Sequence, residues 1–254
     1  MYDRGTMTPG SAGFPERTHL PETAGRPSPT GDDRFAAALR GFGPAGIVSM
    51  LVIVLAGNVS LGSFVTVPLG GLLVIAWRSL SRTPWQSIGY VRPKHWLGAL
   101  ACGIAFGVAF KLTMKSLVMP MLGAEPVNRA YHFLAGNRAL LPAAIWTMLA
   151  AGFGEETVFR GYLFERGAKL FGSGSSARAV TVVLTSAIFA AAHLADQGLA
   201  GAEQAAITGL VFGIIFANTG RIFFLMCAHA AFDLTALAII YMDLESKVAH
   251  LIFR

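Results

Sequence analysis

The chain has 254 residues, of which 54% are hydrophobic and 13% are charged, and its mean hydropathy is +0.57. Soluble domains carry about 25% charged residues, so a water-soluble protein of this composition could not cover its surface with polar groups. The net charge of +6 does not indicate nucleic-acid binding, because basic residues of a membrane protein collect in its cytoplasmic loops. The composition therefore predicts an integral membrane protein.

The N-terminal segment, residues 1–41, precedes the first apolar run and is rich in Gly, Pro, Thr and charged residues. Such segments bury too little apolar surface to fold on their own, so we predict a disordered cytoplasmic tail. The first apolar run begins near Ala45, much farther from Met1 than in a cleavable signal peptide. No such peptide is therefore expected.

The apolar runs that follow predict an all-α, polytopic transmembrane helix bundle of about seven spans. The spans are 44–57, 61–77, 97–120, 139–163, 179–197, 204–218 and 221–242. Several are shorter than the roughly 20 residues that a perpendicular helix needs. The first two are separated by Gly57-Asn58, and one span with a re-entrant segment is the alternative there.

Basic residues between the spans predict the orientation, because Lys and Arg are enriched in cytoplasmic loops. With the N-terminus inside, most of them fall in the inner segments, including the link from Arg160 to Arg178. The outer segments hold only Arg129, Arg138, Lys247 and Arg254. We therefore expect the N-terminus in the cytoplasm and the C-terminus outside.

A first cluster of charged residues, Glu155-Glu156-x-x-x-Arg160, lies in the fourth span. A charge in the bilayer costs about 2.5–3.5 kcal/mol, so it needs a partner or a function. Glu156 and Arg160 are four residues apart on a helix and can pair, whereas Glu155 points about 100° away. Glu155 is thus free to act as a general base. For this cluster alone, a salt bridge that ends the span is an equally good interpretation.

Two further motifs lie in the fifth and seventh spans. Phe189-x-x-x-His193 has small residues before the histidine, which leave room for another helix or an extended peptide. A histidine near a span end is, on its own, more often a packed residue. In His229-x-x-x-Asp233 both side chains share one helix face near mid-bilayer, where an aspartate is difficult to explain without a function. A structural His–Asp hydrogen bond between helices is the alternative.

Together these residues can perform chemistry that none performs alone. A carboxylate base can activate water, and imidazole donors can stabilise an oxyanion. His and carboxylate ligands can also bind a divalent metal and leave one position for water.

In this order and on successive apolar segments, the three motifs resemble those of the CPBP family. This is the CAAX-protease and bacteriocin-processing group of intramembrane endopeptidases, also called the Abi family. Its pattern is Glu-Glu-x-x-x-Arg, then Phe-x-x-x-His, then His-x-x-x-Asn or Asp, and every fixed position is matched. Asp233 is the Asp variant. The resemblance implies a catalytic transmembrane core over 138–242, and the apolar runs before it predict N-terminal transmembrane helices over 42–122.

The resemblance implies hydrolysis of a peptide bond within the membrane. Glu155 and His193 would bind or activate the attacking water. His229 and Asp233 would hold the oxyanion or complete a metal site. The implied supporting residues are Glu156 and Arg160.

The role of a metal is left open by the resemblance, because the family has been described both as metal-dependent and as glutamate-driven without a metal. In the metal-dependent case the ligands would be Glu155, His193 and His229, and the ion would be a divalent metal such as zinc.

Two other functions are compatible with the same residues. Intramembrane Glu, His and Asp also build proton relays, so a component of a proton-coupled transporter is one alternative. A catalytically silent immunity or scaffold protein is the other. A transport assay set beside a proteolysis assay distinguishes a transporter from a protease. A phenotype that survives Glu155→Ala would favour the scaffold protein.

The expected partners are the lipid bilayer and a membrane-associated or lipidated peptide or protein, with no nucleic acid. The expected location is the bacterial plasma membrane, with the active site reached from the membrane interior or the cytoplasm. Lys111 and Lys115, one turn apart near the end of the third span, are interpreted as snorkelling to the outer interface. Contact with a substrate carboxylate is the alternative for this pair.

Overall fold

The computed structural model describes residues 30–56 and 63–253, with side chains in the second range described from residue 68 onward. Within these ranges the secondary structure is helical and contains no strand, which confirms the predicted all-α class. Most of the predicted disordered tail, residues 1–29, and the Gly57-Asn58 break lie outside the described residues.

Helices run through nearly the whole described chain. They are α1 Gly31–Arg40, α2 Pro44–Leu55, α3 Ser63–Ser81, α4 Trp96–Met121, α5 Leu141–Glu156, α6 Leu163–Phe171, α7 Ser175–Thr219, α8 Phe223–Tyr241 and α9 Glu245–Ala249. Two π-helical turns interrupt the regular winding, at Met114–Val118 within α4 and at Thr157–Tyr162 between α5 and α6. Such wide turns are frequent at functional sites.

The end of the predicted tail is helical, which corrects the prediction for residues 31–40. Thr30 caps α1, because its side chain accepts from the backbone N–H of Asp33 while the Asp33 carboxylate accepts from the backbone N–H of Thr30. This reciprocal capping box satisfies donors that the first turn of a helix leaves free. Trp77 of α3 also donates its indole N–H to the carbonyl oxygen of Leu39, at 3.1 Å, so α1 is held against the bundle.

Three helices are long and apolar enough to cross a membrane: α4, α7 and α8. The pair α1 and α2, bent by 56°, passes the same criteria as one broken span. The chain is therefore an integral membrane protein with three to four candidate spans by length and composition among the described residues. The predicted number of seven is not confirmed.

The longest helix, α7, doubles back on itself. Gly198 has φ +66° and ψ −167°, which breaks the helix between two halves that are each about 30–35 Å long. The halves pack antiparallel, since Gly209 lies against Ser186 and Arg178 donates to the carbonyl oxygen of Ala217. Helices are thus present at both predicted spans, 179–197 and 204–218, with a turn between them.

The central helix is α8, and glycines allow its neighbours to approach it closely. A Cβ added at Gly107 of α4 would collide with the backbone of Ala228, and one added at Gly152 of α5 would lie 2.6 Å from the backbone nitrogen of Ala230. Small residues on facing helices permit such backbone contact in membrane proteins. As a result His229, which lies between these two alanines, is enclosed by α4 and α5.

One buried carboxylate holds the loop between α4 and α5 against the C-terminal helix, α9. Glu245, 1% exposed, accepts from the backbone N–H of Asn128 at 2.8 Å. It is also 3.1 Å from Nδ1 of His132 and 3.4 Å from Nζ of Lys115. These contacts hold the segment that carries Tyr131 over the end of the bundle.

Candidate active site

The candidate site is centred on the imidazole of His229, which is buried in the middle of α8. Its Nδ1 lies 2.7 Å from Oε1 of Glu156 on α5. An ionised carboxylate only accepts hydrogen bonds, so Nδ1 carries the hydrogen and Nε2 faces the rest of the site. The orientation of the ring is therefore set by a carboxylate from another helix.

Glu156 joins His229 to a buried arginine. The same Oε1 accepts from Nη1 of Arg160 at 2.8 Å, and both side chains are almost completely buried. The Arg160 guanidinium also lies over the rings of Phe189 and Phe212, at 4.9 and 5.5 Å from their centroids. Glu156 is thus held by two hydrogen bonds and its charge is compensated by Arg160, while its supporting role stays a prediction.

Two other carboxylates face the outer nitrogen of the imidazole. Oε2 of Glu155 lies 3.7 Å from Nε2 of His229, and Oδ2 of Asp233 lies 3.5 Å from the same atom. Oε2 of Glu155 is buried and has no hydrogen-bond partner in the described part of the chain. A buried carboxylate oxygen without a donor is available to accept a proton from a water molecule or a substrate.

His193 lies at the edge of this group. Its Nδ1 donates to the carbonyl oxygen of Phe189 at 2.8 Å, because a carbonyl can only accept, and its Nε2 is left with the lone pair. The Phe189 ring is 4.5 Å from the His193 ring and 6.0 Å from the His229 ring, so it forms a shared wall between the two histidines. No hydrogen bond or ion pair joins His193 to Glu155 among the described residues.

A metal site is not formed by the predicted ligands. The described residues contain no group of three or more His, Cys, Asp and Glu side chains that could hold a metal ion. Glu155 and His229 approach each other, whereas no hydrogen bond or ion pair joins His193 to either of them among the described residues. The predicted zinc set of Glu155, His193 and His229 therefore does not form a metal site as the side chains are placed.

Tyr131 is a site residue that the sequence motifs do not reveal. Its hydroxyl accepts from Nε2 of Gln197 at 3.1 Å. Burial, and then the nearby carboxylates of Asp233, Glu155 and Asp196, raise the pKa of Tyr131 to about 12. The phenol is therefore neutral at physiological pH and can donate a hydrogen bond toward these carboxylates. A single tyrosine in a loop follows no periodic pattern, so the sequence holds no signal for it.

The fold and the site together define a class: a helical membrane protein with a Glu–His–Asp cluster on α5 and α8 and a further histidine, on α7, at its edge. Residues 137–235 match the sequence model of the family described as "Type II CAAX prenyl endopeptidase Rce1-like". This match confirms the resemblance that the three motifs predicted, to a family of CAAX-type proteases. The searches of curated proteins and of solved structures find no match.

Proposed function

We propose that this protein is an intramembrane endopeptidase that hydrolyses a peptide bond of a membrane-associated or lipidated substrate, with Glu155 as the general base. The observation that carries the proposal is the buried, unpartnered Oε2 of Glu155 facing His229 inside a CAAX-type protease domain. Glu156 is held by Arg160 and His229, whereas Oε2 of Glu155 is buried without a hydrogen-bond partner among the described residues, which supports Glu155 as the group that takes a proton.

The reaction begins when Glu155 accepts a proton from water and the water oxygen attacks the scissile carbonyl carbon. Nε2 of His193, whose other nitrogen is bound to Phe189, accepts a hydrogen bond from the same water and orients it. The tetrahedral intermediate carries a negative oxygen. Glu155 then returns the proton to the leaving amine as the carbon–nitrogen bond breaks.

The oxyanion is stabilised by donors on the opposite side. In its imidazolium form, His229 donates Nδ1–H to Glu156 and directs Nε2–H toward the substrate. An ionised Asp233 cannot itself donate to an oxyanion, so its contribution is to hold the imidazolium charge from 3.5 Å away. The neutral phenol of Tyr131 is a further donor at this edge of the site.

The cellular arrangement is also part of the proposal. We place the N-terminus in the cytoplasm of a bacterial cell and the chain across the plasma membrane in the seven-span order, with substrate entering from the bilayer or the cytoplasmic side. The concentration of basic residues in the inner segments, including Arg166 and Lys169 after the Glu155 motif, supports this orientation.

The experiment compares wild type with Glu155→Gln in lipid vesicles, using a fluorogenic peptide that carries a prenylated cysteine close to its C-terminus. Gln preserves shape but cannot accept the proton, so the expected loss of kcat is about 10²- to 10⁴-fold. Asp32→Asn, the same carboxylate-to-amide change on the exposed first turn of α1, is the matched control and should retain full activity. Undiminished hydrolysis by Glu155→Gln would refute the assignment of the base, and proton-coupled solute uptake without hydrolysis would favour a transporter.

A further inference from the structure

The loop between α4 and α5 brings one side chain, Tyr131, to the candidate active site. Its ring packs against a group of buried apolar residues from the loop, α5 and α8, namely Leu134, Ala144, Leu237 and Ile240. Leu237 lies one turn beyond Asp233 on α8, and Ala144 belongs to α5. The ring is therefore seated on the two helices that carry the Glu–His–Asp cluster.

The hydroxyl of Tyr131 has an uncommitted hydrogen. Nε2 of Gln197, next to the Gly198 turn of α7, donates to the phenol oxygen at 3.1 Å. An amide nitrogen only donates, so this bond uses a lone pair of the phenol and leaves its own hydrogen free. In the described part of the chain, Gln197 is the one hydrogen-bond partner of this hydroxyl. Burial and the nearby carboxylates raise the pKa of Tyr131 to about 12, so the hydrogen stays on the phenol at physiological pH.

The backbone on both sides of Tyr131 is held by Glu245 of α9. The carboxylate of Glu245 is buried, accepts from the backbone N–H of Asn128 and lies 3.1 Å from Nδ1 of His132. Lys115 of α4 pairs with the same carboxylate at 3.4 Å, instead of snorkelling to the outer interface as its position predicted. Because Tyr131 lies between Asn128 and His132 in the chain, one buried side chain restrains its backbone from both sides.

Both contacts join the phenol to elements that carry other residues of the site. Gln197 is four residues beyond His193 on the first half of α7, so the two side chains share one helix face. Glu245 follows α8, the helix of His229 and Asp233, after a short turn. The position of the phenol is therefore tied to the helices that place the rest of the site.

We propose that Gln197 and Glu245 are positioning residues, which hold the Tyr131 phenol so that its O–H donates to the oxyanion of the tetrahedral intermediate. This inference rests on the proposed function and deepens it, because it identifies what fixes a donor that belongs to a loop. An oxyanion donor is effective when it is held in place before the charge develops. Gln197 acts on the phenol directly, and Glu245 acts on the backbone that carries it.

The test is a double-mutant cycle on hydrolysis of the fluorogenic prenylated peptide in lipid vesicles, with kcat and KM measured separately. Tyr131→Phe removes only the phenolic O–H. We expect kcat to fall about 10²-fold with KM nearly unchanged, because the bond forms in the transition state. Gln197→Met removes the amide donor and keeps the length of the side chain, so kcat should fall about 3- to 10-fold. In the Tyr131→Phe background the same change should have no further effect on kcat, since both act on one hydroxyl.

Glu245 is tested by the same cycle. Glu245→Gln should lower kcat about 10-fold alone and have no further effect on kcat beside Tyr131→Phe. The change also leaves Lys115 without its carboxylate, so the unfolding temperature is measured for each variant in detergent. If Glu245→Gln does not fold, His132→Ala takes its place, because it removes one contact of Glu245 and leaves the pairing with Lys115 intact. We expect His132→Ala to lower kcat about 3-fold, again only when the phenol is present.

Two matched controls make the same chemical changes away from Tyr131. Gln86→Met changes an exposed glutamine in the loop before α4. Glu125→Gln changes an exposed carboxylate in the same loop as Tyr131, where it pairs with Arg129. Both controls should keep the kcat and KM of the wild type, and a loss in either that matches the loss in its test variant would count against the proposal.

The outcomes separate this inference from the proposed function. If wild type does not hydrolyse the peptide, the proposed function fails and this inference fails with it. If wild type hydrolyses it and Tyr131→Phe keeps its kcat, the inference is overturned while the protease stands. A Gln197→Met loss that multiplies with the loss in Tyr131→Phe would show that Gln197 does not act through the phenol, and would overturn its positioning role.

Discussion

At the residue scale, one carboxylate accepts hydrogen bonds from two buried side chains. Oε1 of Glu156 accepts from both Arg160 and His229, so the salt bridge of α5 and the imidazole of α8 are a single network. Glu155, the next residue, has a buried oxygen without a hydrogen-bond partner among the described residues. In our proposal the adjacent glutamates therefore have separate tasks, one holding the site together and the other acting on the substrate.

This division predicts that Glu156→Gln and Glu155→Gln differ in stability. Glu156→Gln leaves Arg160 with an uncompensated buried charge, and breaking a buried pair costs about 3–5 kcal/mol. It should also reduce activity, because His229 loses the carboxylate that orients it. Glu155→Gln should lose activity with little loss of stability. Thermal unfolding in detergent, measured beside hydrolysis, checks both, and equal unfolding temperatures for the two variants would contradict the separation.

At the element scale, close approach of the helices brings the site together. Gly107 of α4 and Gly152 of α5 both face the backbone of α8, on either side of His229. Gly71 of α3 packs in the same way against Gly154, next to Glu155. The distances from Glu155 and Glu156 to His229 depend on these contacts. A side chain added at one of these glycines would therefore change those distances without touching the site residues.

We therefore expect Gly152→Ala to destabilise the protein and to lower its activity. The new Cβ would lie 2.6 Å from the backbone nitrogen of Ala230, and overpacking of this kind costs about 1–3 kcal/mol. Gly98→Ala on α4 is the matched control, because its Cβ would meet only the His95 side chain at 3.8 Å. The control should be neutral or up to about 1 kcal/mol more stable, since Ala favours helix over Gly. Unfolding curves that rank the two variants in the opposite order would contradict this packing.

At the scale of the whole molecule, the hairpin of α7 determines how the site relates to the bilayer. The link after α6, residues 172–174, and the turn at Gly198 lie at opposite ends of its first half. That half is about 30–35 Å long, enough to cross the hydrocarbon core. If this half crosses the membrane, residues 172–174 and the turn at Gly198 lie on different sides of it. In our proposal residues 172–174, which are nearer to the Glu155 motif in the chain, lie on the cytoplasmic side.

Cysteine labelling tests this topology. In a background with Cys102→Ala and Cys227→Ala, which removes both native cysteines, we expect Leu199→Cys to react with an impermeant thiol reagent in intact cells. Ser173→Cys should react only after permeabilisation, and Val183→Cys, on the outer surface of the hairpin between them, should stay unlabelled in both conditions. Labelling of Ser173→Cys and Leu199→Cys from the same side would contradict the crossing. Reversed sides would overturn the orientation and the proposed direction of access.

The sequence by itself determined the membrane class and the all-α fold, and it predicted a set of candidate site residues without Tyr131. Composition indicates whether a protein is surrounded by lipid or by water. Spacing on a helix indicates which residues a few positions apart are neighbours, so the Glu156–Arg160 pair and the shared face of His229 and Asp233 were predictable. The complete motif set then identified the CAAX-type protease domain, because three motifs in order are specific where each alone is not.

Only the tertiary structure decided which of these residues meet. Glu156 also binds His229, Phe189 packs against both His193 and His229, and Tyr131 and Lys111 lie beside the site. All of these depend on contacts between segments far apart in the chain. Such contacts follow from where backbones approach, as at Gly107 and Gly152, and a local hydrophobic pattern carries no information about them. The burial of Lys111 is the clearest case, because its place near a span end predicts exposure and the packing of α4 on α8 reverses it.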